Sequence, residues 1–434
     1  MAPNNIDEGA LNRLARKLGC DLEVYSEIQS TRVFSSEGGR LHAKDAVTNA
    51  GFAVRTIKGR QLGFYSFENA AEFAPAVEKA LRLGKHQEKG DYYFPANVGS
   101  SEKYFDNRAR GFGEWAMIEI EGMHSAHRKA GVVPVQNMLG ASISEKRLEN
   151  SEGGRIRQKE SAFFALSQCG FKETEADDSI SCARYNFSPA DAARNAAKFA
   201  RASANAKKTA GGKASVIFDI RALHQLLPLF MPFNFSGESL QKKLTKLAFG
   251  APFALETISI SDDPFMAEGV RPAVFDDEGF KCAKRALVDR GAVNEYAFDM
   301  RSVVKMRKTA ARNAPSPLKP GNAARGSFNS PPSISFSNMA IEGGDASDLV
   351  KECKSGIYVN SFLTSGANPV TGDFTFPLLV AFKVSRGEPI NAIRGAMMKG
   401  NFFELMKGAI FERETEIYNG LRAGRMACDL EIIS

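Results

Sequence analysis

The residues able to do chemistry are few and scattered. The chain has five histidines among 434 residues: His42, His86, His124, His127 and His224. His124 and His127 stand at i and i+3, a spacing that puts both on one helix face, with Glu121 one turn earlier. Two neutral imidazoles and a carboxylate could begin a zinc site. Arg128 and Lys129 follow at once and oppose a cation, and the spacing fits no familiar metal motif, so this stretch reads as a polar helix face. His224 stands beside Gln225 rather than an acid and reads as a surface or buried histidine. Two acidic clusters, Asp262-Asp263 and Asp276-Asp277-Glu278, could attract a cation. Pro264 and Gly279 follow them directly, so these carboxylates are expected to accept turn N–H groups, and Asp373 to do the same in its own turn. The sequence has no Gly-x-Ser-x-Gly elbow and no phosphate-binding loop.

The remaining composition narrows the class. Hydrophobic content of 43% and charged content of 25% suit a globular chain of two or three domains. No apolar run approaches the roughly 20 residues that span a bilayer, and the first residues lack a basic and apolar leader. Cys20, Cys169, Cys182, Cys282, Cys353 and Cys428 form no CxxC pair, so neither a disulfide framework nor a zinc ribbon is expected. The expectation is a cytoplasmic protein with reduced thiols and no membrane partner. The net charge of +7 resides in two acid-free segments, 194–213 and 301–325. Their thirteen basic residues leave 44 basic against 50 acidic elsewhere. Aromatics are not interleaved with them and no nucleic-acid motif is present, so they read as a solvated helix face and a loop; nucleic acid is not the expected partner.

The elements that must position these groups follow from an internal repeat. Arg32–Leu41 and Arg147–Ile156 share six of ten residues, including Ser-Glu-Gly-Gly-Arg. Each copy follows an amphipathic helix, about 8–18 and 114–129, and a strand, 22–28 and 132–143. Each Glu-Gly-Gly suits a tight hairpin turn, because glycine accepts positive φ. Further strands (52–57 and 62–65; 162–166 and 180–185) and an Ala-rich helix (68–83; 189–207) complete each copy. The fold class is therefore α+β: duplicated α-β-meander-α units, antiparallel with helices on one face, and a mostly β C-terminal domain. The boundaries are 1–90 and 111–210 for the two units, 91–110 for the linker and 211–434 for the C-terminal domain. In the last, a strand at 214–220 leads to a helix at about 221–227 that Pro228 should stop. A second helix is expected at 239–247, a long loop at 313–338 and a short helix at 347–355.

The segment Gly356–Asn401 alternates strand-forming runs with Ser365-Gly366-Ala367-Asn368-Pro369-Val370-Thr371-Gly372-Asp373-Phe374, Arg386-Gly387-Glu388-Pro389 and Arg394-Gly395. It resembles the C-terminal signature of the TldD/PmbA (modulator of DNA gyrase) metallopeptidase family. Other landmarks in the same order strengthen the resemblance: Gly51-Phe52-Ala53-Val54-Arg55 with Gly63-Phe64, Asn150-Ser151-Glu152-Gly153, Phe235-Ser236-Gly237-Glu238, Thr257–Pro264, Phe275–Gly279 and Gly321-Asn322-Ala323-Ala324-Arg325. The resemblance spans nearly the whole chain. In that family one kind of subunit carries a His-Glu-x-x-x-His helix that binds zinc with a cysteine, and the other, PmbA or TldE, lacks these ligands. Counting back from Glu238, the two histidine positions fall on Pro228 and Phe233, and the glutamate position on Leu229. Cys428 lies near the end, where the zinc-binding kind supplies its thiolate; without histidines it reads as a buried thiol.

The resemblance implies a PmbA/TldE-like, non-metal subunit of a TldD/TldE-type zinc peptidase acting on short or unfolded peptides. It implies no cofactor in this chain and no catalytic residue; zinc is expected only in a TldD-type partner. Peptide would add as a strand along the signature region, at Asn368, Thr371, Gly372, Asp373 and Phe374, with the basic loop Arg312–Arg325, Arg325 above all, neutralising its carboxylate. The alternatives are a homodimeric, non-catalytic peptide-binding protein, a hydrolase with an unrecognised site, and the DNA binding that the family's gyrase name suggests.

Overall fold

The structure, a computed structural model, describes residue 6 and residues 8–309 and 318–434. Arg312 and the first residues of the loop expected at 313–338 lie outside the described residues. The N-terminal part comprises α1 (Glu8–Leu18), β1 (Asp21–Glu37), β2 (Arg40–Lys58), β3 (Gln61–Phe67), α2 (Phe73–Gly84), β4 (Val98–Ser101), α3 (Phe112–Ala130), β5 (Val133–Asn150), β6 (Arg155–Phe171), β7 (Thr174–Cys182) and α4 (Pro189–Ser203). The two copies of the repeat form matching hairpins. Gly38 and Gly39 turn β1 into β2, and Gly153 turns β5 into β6, all at positive φ. The strands run much further than the local sequence suggested, because β1 pairs along its length with β2 on one side and β5 on the other. That shared border fuses both copies into one seven-stranded sheet, β3-β2-β1-β5-β6-β4, with β7 also on β6.

Strand alternation gives this sheet two different faces. Leu22 and Val24 of β1, with Phe52 and Val54 of β2, pack against α1 and α2. Phe34, Leu139, Ala141 and Phe163 pack against α3. The helices thus cover one face, as the pattern predicts. The opposite face presents Glu23, Tyr25, Glu27, Arg55, Ser144 and Lys146, and meets the C-terminal half.

That half contains β8 (Gly212–Phe218), α5 (Ile220–Asn234), α6 (Gly237–Gln241), β9 (Ser259–Asp262), β10 (Arg285–Asp289), β11 (Ala292–Val293), α7 (Met300–Thr309), β12 (Ala323–Ala324), β13 (Ser333–Ile334), β14 (Met339–Glu342), α8 (Leu349–Glu352), β15 (Ser355–Phe362), β16 (Asp373–Ser385), β17 (Glu388–Ala392), β18 (Met397–Asn401), α9 (Phe402–Gly408), β19 (Ile410–Phe411), β20 (Glu416–Tyr418), β21 (Leu421–Ala423) and β22 (Met426–Ile433). Strands β15, β8, β22, β18 and β16 pair in turn, and β16 returns to β15, so five strands close into a ring. Closure satisfies backbone groups that an open sheet would leave at its edges. Phe362, Phe374 and Phe376 stack along the ring, and Phe230 of α5 stacks on Phe402 at 4.5 Å. The helix expected at 239–247 ends at Gln241. Among the described residues no helix is long and apolar enough to cross a membrane.

The histidine pair on α3 lies under the sheet rather than on a polar surface. His124 Nε2 meets Ser36 Oγ at 2.8 Å, and His127 Nε2 meets Ser167 Oγ at 3.0 Å. Both imidazoles are buried, each beside a different strand serine, because the serines give α3 polar partners on an otherwise apolar face. Burial, with the neighbouring His124 charge, holds the His127 pKa down to about 4 from 6.5. The unfolded chain therefore takes up a proton below pH 6.5 that the folded chain refuses until about pH 4. This contribution to stability is intact above pH 6.5 and is lost as the pH falls. His127→Gln should flatten the acid limb: between pH 7 and 4.5 the parent should lose roughly 2–3 kcal/mol more than the variant in urea unfolding. Equal losses would remove His127 from the acid response.

Candidate functional site

The helix that carries the expected metal-ligand positions is α5. Asp219 caps its start, its side chain accepting from Arg221 N at 3.0 Å. Contrary to expectation, the helix does not stop at Pro228 but runs through Pro228 and Pro232 to Asn234. Proline at these points removes two helical N–H donors and crowds the preceding turn. The loss is offset on the other face, where Leu223, Leu226, Leu227, Phe230 and Met231 are all buried. The end is tied as well: Asn234 Nδ2 donates to Phe230 O and to Pro369 O. Pro228 is exposed, and Leu229, Pro232 and Phe233 are half-buried, so these four share the helix's open side. None of them has an atom that ligates zinc. His224, on the same helix, lies edge-on to Tyr418 at 5.4 Å between ring centroids, and burial lowers its pKa. Cys428, in β22, is buried and its thiol is pushed up by desolvation, the reverse of a ready thiolate ligand.

The signature turn packs onto the end of this helix. Asn368 Oδ1 accepts from Val370 N and Thr371 N, and Gly372 N donates to Asn368 O at 2.8 Å. Asn401 Nδ2 donates to Thr371 O and to Asp373 Oδ1, which fixes the turn to the start of α9. Gly372 has φ 87°, and a Cβ there would stand 2.5 Å from the Phe403 ring. Phe374 points into the core against Phe376. The chemistry of these residues is turn locking, but the turn N–H groups go to Asn368, and the Asp373 carboxylate accepts from the Asn401 amide instead. The strand that follows, β16, has β15 on one side and β17 and β18 on the other. An added peptide strand therefore finds no free edge along it.

The acidic clusters serve a different purpose from a cation site. Asp276 Oδ1 accepts from Glu278 N and Phe280 N, and Oδ2 from Ala323 N at 3.1 Å. Asp262 accepts from Ser337 N, Asn338 N and Asn322 Nδ2; burial still pushes its carboxyl up to about 7. These are carboxylates on backbone N–H groups, as the flanking Pro264 and Gly279 suggest, but they reach distant loops as well as their own turns.

Asp277 and Glu278 cross to the polar face of the N-terminal sheet. Arg55 forms a two-pronged bond with Glu23, at 2.7 and 2.8 Å, and also bonds Glu278. All three side chains are at most 2% exposed. Burial opposes the guanidinium charge, yet Glu23 and then Glu278 hold Arg55 protonated more firmly than usual. Lys146 Nζ lies 3.1 Å from Asp277 and 3.5 Å from Glu160. Arg325 donates its backbone N–H to Asp277, lies 4.4 Å over the Tyr25 ring and bonds Ser330 O. Its side chain is completely buried, so it fastens the two halves and leaves no guanidinium surface for a peptide carboxylate. Glu23 and Lys146 carry no local sequence signal; their placement on otherwise ordinary strands becomes meaningful only once a partner covers that face.

Between this face and the loops 270–277, 321–326 and 333–337 lies a cavity of about 530 Å³. Its wall includes Glu27, Gln29, Ser142, Ser144, Lys146 and Glu160.

Comparison with known proteins agrees with this architecture. A sequence profile described as the PmbA/TldA metallopeptidase C-terminal domain matches residues 211–431. An uncharacterized protein of Methanocaldococcus jannaschii is 24% identical over 411 residues, 93% of this chain and 94% of that one. A metalloprotease TldD homolog of Buchnera aphidicola subsp. Schizaphis graminum is 22% identical, covering 89% of this chain and 83% of its own. Among solved structures, TldE from Thermococcus kodakarensis superposes with a TM-score of 0.84 at 22% identity, over 98% of this chain and 99% of that chain. A Thermotoga maritima protein described as a candidate modulator of a DNA gyrase gives the same TM-score at 18% identity and the same coverage. These two show a common fold.

Two substitutions probe the site. Arg55→Ala leaves two buried carboxylates without their cation and should cost about 3–5 kcal/mol in urea unfolding. A cost below about 1 kcal/mol would mean the ion pair is dispensable. Pro228→Ala restores a helical N–H at an exposed position and should raise stability by about 1–3 kcal/mol, read as a higher denaturation midpoint.

Proposed function

Because the chain belongs to the PmbA/TldD metallopeptidase family, we propose that it acts as the TldE-type, non-metal subunit of a peptidase whose zinc is held by a TldD-type partner. The observation that carries this reading is the open side of α5. Pro228, Leu229 and Phe233 stand where the resemblance places two histidines and a glutamate. A zinc ion needs imidazole, thiolate or carboxylate ligands, and the proton of an attacking water needs a base. These three side chains supply neither, so no catalytic step is assigned to this helix. Its sequence favours packing instead, and the signature turn is bonded to its end.

The contribution of the subunit is then to shape and complete the partner's peptide site. One surface suits assembly. Strand β2 extends beyond β3, which pairs only with its 52–58 portion. Residues 40–49 are exposed where their burial is described and pair with β1 on the other side. This edge offers backbone N–H and C=O groups to a strand of another subunit. The reading favours a TldD-type chain there; a second copy of this chain is the competing outcome.

The test uses the purified chain alone and after co-expression with a TldD-type protein. Alone, it should hold substoichiometric zinc by metal analysis and show no chelator-sensitive cleavage of unfolded peptides. With the partner, the two should copurify and cleave peptides in a zinc-dependent way. Chelator-sensitive cleavage by the chain alone would sink the proposal, and a stable homodimer that ignores the partner would favour self-assembly.

A further inference from the structure

The cavity between the sheet and the C-terminal loops has features that neither turn chemistry nor subunit pairing explains. A covered sheet face is normally apolar, yet this one carries Glu27, Gln29, Ser142, Ser144 and Glu160 around open space. Glu27 is 8% exposed. Its Oε1 accepts from Ser144 Oγ at 3.1 Å, and among the described residues Oε2 has no hydrogen bond. Lys146, its direct neighbour across the β1–β5 ladder, lies within ion-pair distance of Asp277 and Glu160 instead. The Glu27 carboxyl is raised above its usual range, chiefly by burial, and the nearby Lys146 charge offsets that rise only in part. A buried acid in this condition is stabilised by an added cation. A chelated metal does not suit the site, since among the described residues no three His, Cys, Asp or Glu side chains converge on one point. An ammonium group, which needs only one carboxylate and a hydroxyl or amide, does.

Arg271 also lines the cavity and is exposed to solvent, and its guanidinium makes a long bond to Ser335 Oγ at 3.4 Å. Val270, Pro272, Ala273 and Phe275 provide apolar wall. A volume of about 530 Å³ lies in the range of small-molecule sites. We propose that this cavity binds a small zwitterion, a free amino acid or short peptide, with its ammonium on Glu27 and Ser144 and its carboxylate at Arg271. The proposal concerns the chain without any partner and does not depend on the subunit reading.

The experiment is titration calorimetry of the purified full chain at neutral pH with L-alanine, alanyl-alanine, N-acetyl-alanyl-alanine and alanyl-alanine amide. Alanyl-alanine should bind, and acetylating its amine should weaken binding by about tenfold or more, since the charged hydrogen bond to Glu27 is lost. Arg271→Ala should weaken alanyl-alanine by about three- to tenfold and leave the amide unchanged. Glu27→Gln, which keeps an acceptor for Ser144, should reproduce the effect of acetylation. If that variant does not fold, the acetylated probe on the unaltered chain decides. Binding of L-alanine as tight as that of the dipeptide would identify an amino-acid site; binding of the dipeptide alone would identify a peptide site. No binding of either zwitterion, or equal binding of the acetylated dipeptide, would overturn the proposal.

Discussion

The buried Arg55 between Glu23 and Glu278 is the interaction on which the rest of the architecture depends. A guanidinium taken wholly out of water is unfavourable unless its donors are matched by acceptors in the right plane. Glu23 supplies that match from the neighbouring strand, and Glu278 supplies it from the other half of the molecule. The sheet therefore cannot cover this face with arbitrary apolar packing. The C-terminal loops must come down with Asp277 and Glu278 in register, and Arg325 stacked on Tyr25 closes the same seam.

The two halves obey different rules. The N-terminal sheet is a repeated hairpin, apolar on the helix side and polar on the other, so its second face acquires order only through its partner. The C-terminal ring is self-contained: its strands close, its phenylalanines stack, and α5 crosses it with a buried apolar face. That buried face is strong enough to keep α5 helical through two prolines. The open side of the helix carries Pro228, Leu229, Pro232 and Phe233, and the signature turn bonds its end through Asn234 and Pro369.

Much of the fold was legible in the residues. The helix at Glu8–Leu18 and the hairpin turns at the paired Ser-Glu-Gly-Gly-Arg segments are legible because amphipathic spacing and glycine at positive φ are local constraints. The lengths of β1 and β5 are not legible, since their full extent is set by pairing with each other and with β2 and β6. Pro228 reads as a helix stop because its local cost is visible in the sequence, while the packing that offsets it is not. His124 and His127 read as a polar helix face because nothing nearby in sequence reveals Ser36 and Ser167. Arg325 reads as a ligand-facing cation because its basic segment lacks acids, yet the acids that surround it come from β1 and from the 276–278 turn.

The sequence by itself determined the repeat, the turn chemistry of Asn368–Asp373 and the absence of ligand atoms at Pro228, Leu229 and Phe233. These are properties of residue type and short spacing. Only the tertiary structure decided that Phe374 is core, that α5 continues past its prolines, and that a polar cavity lies beneath Glu27. Those depend on groups brought together across long separations, where burial sets the energy of each charge and the chain order gives no notice of its neighbours.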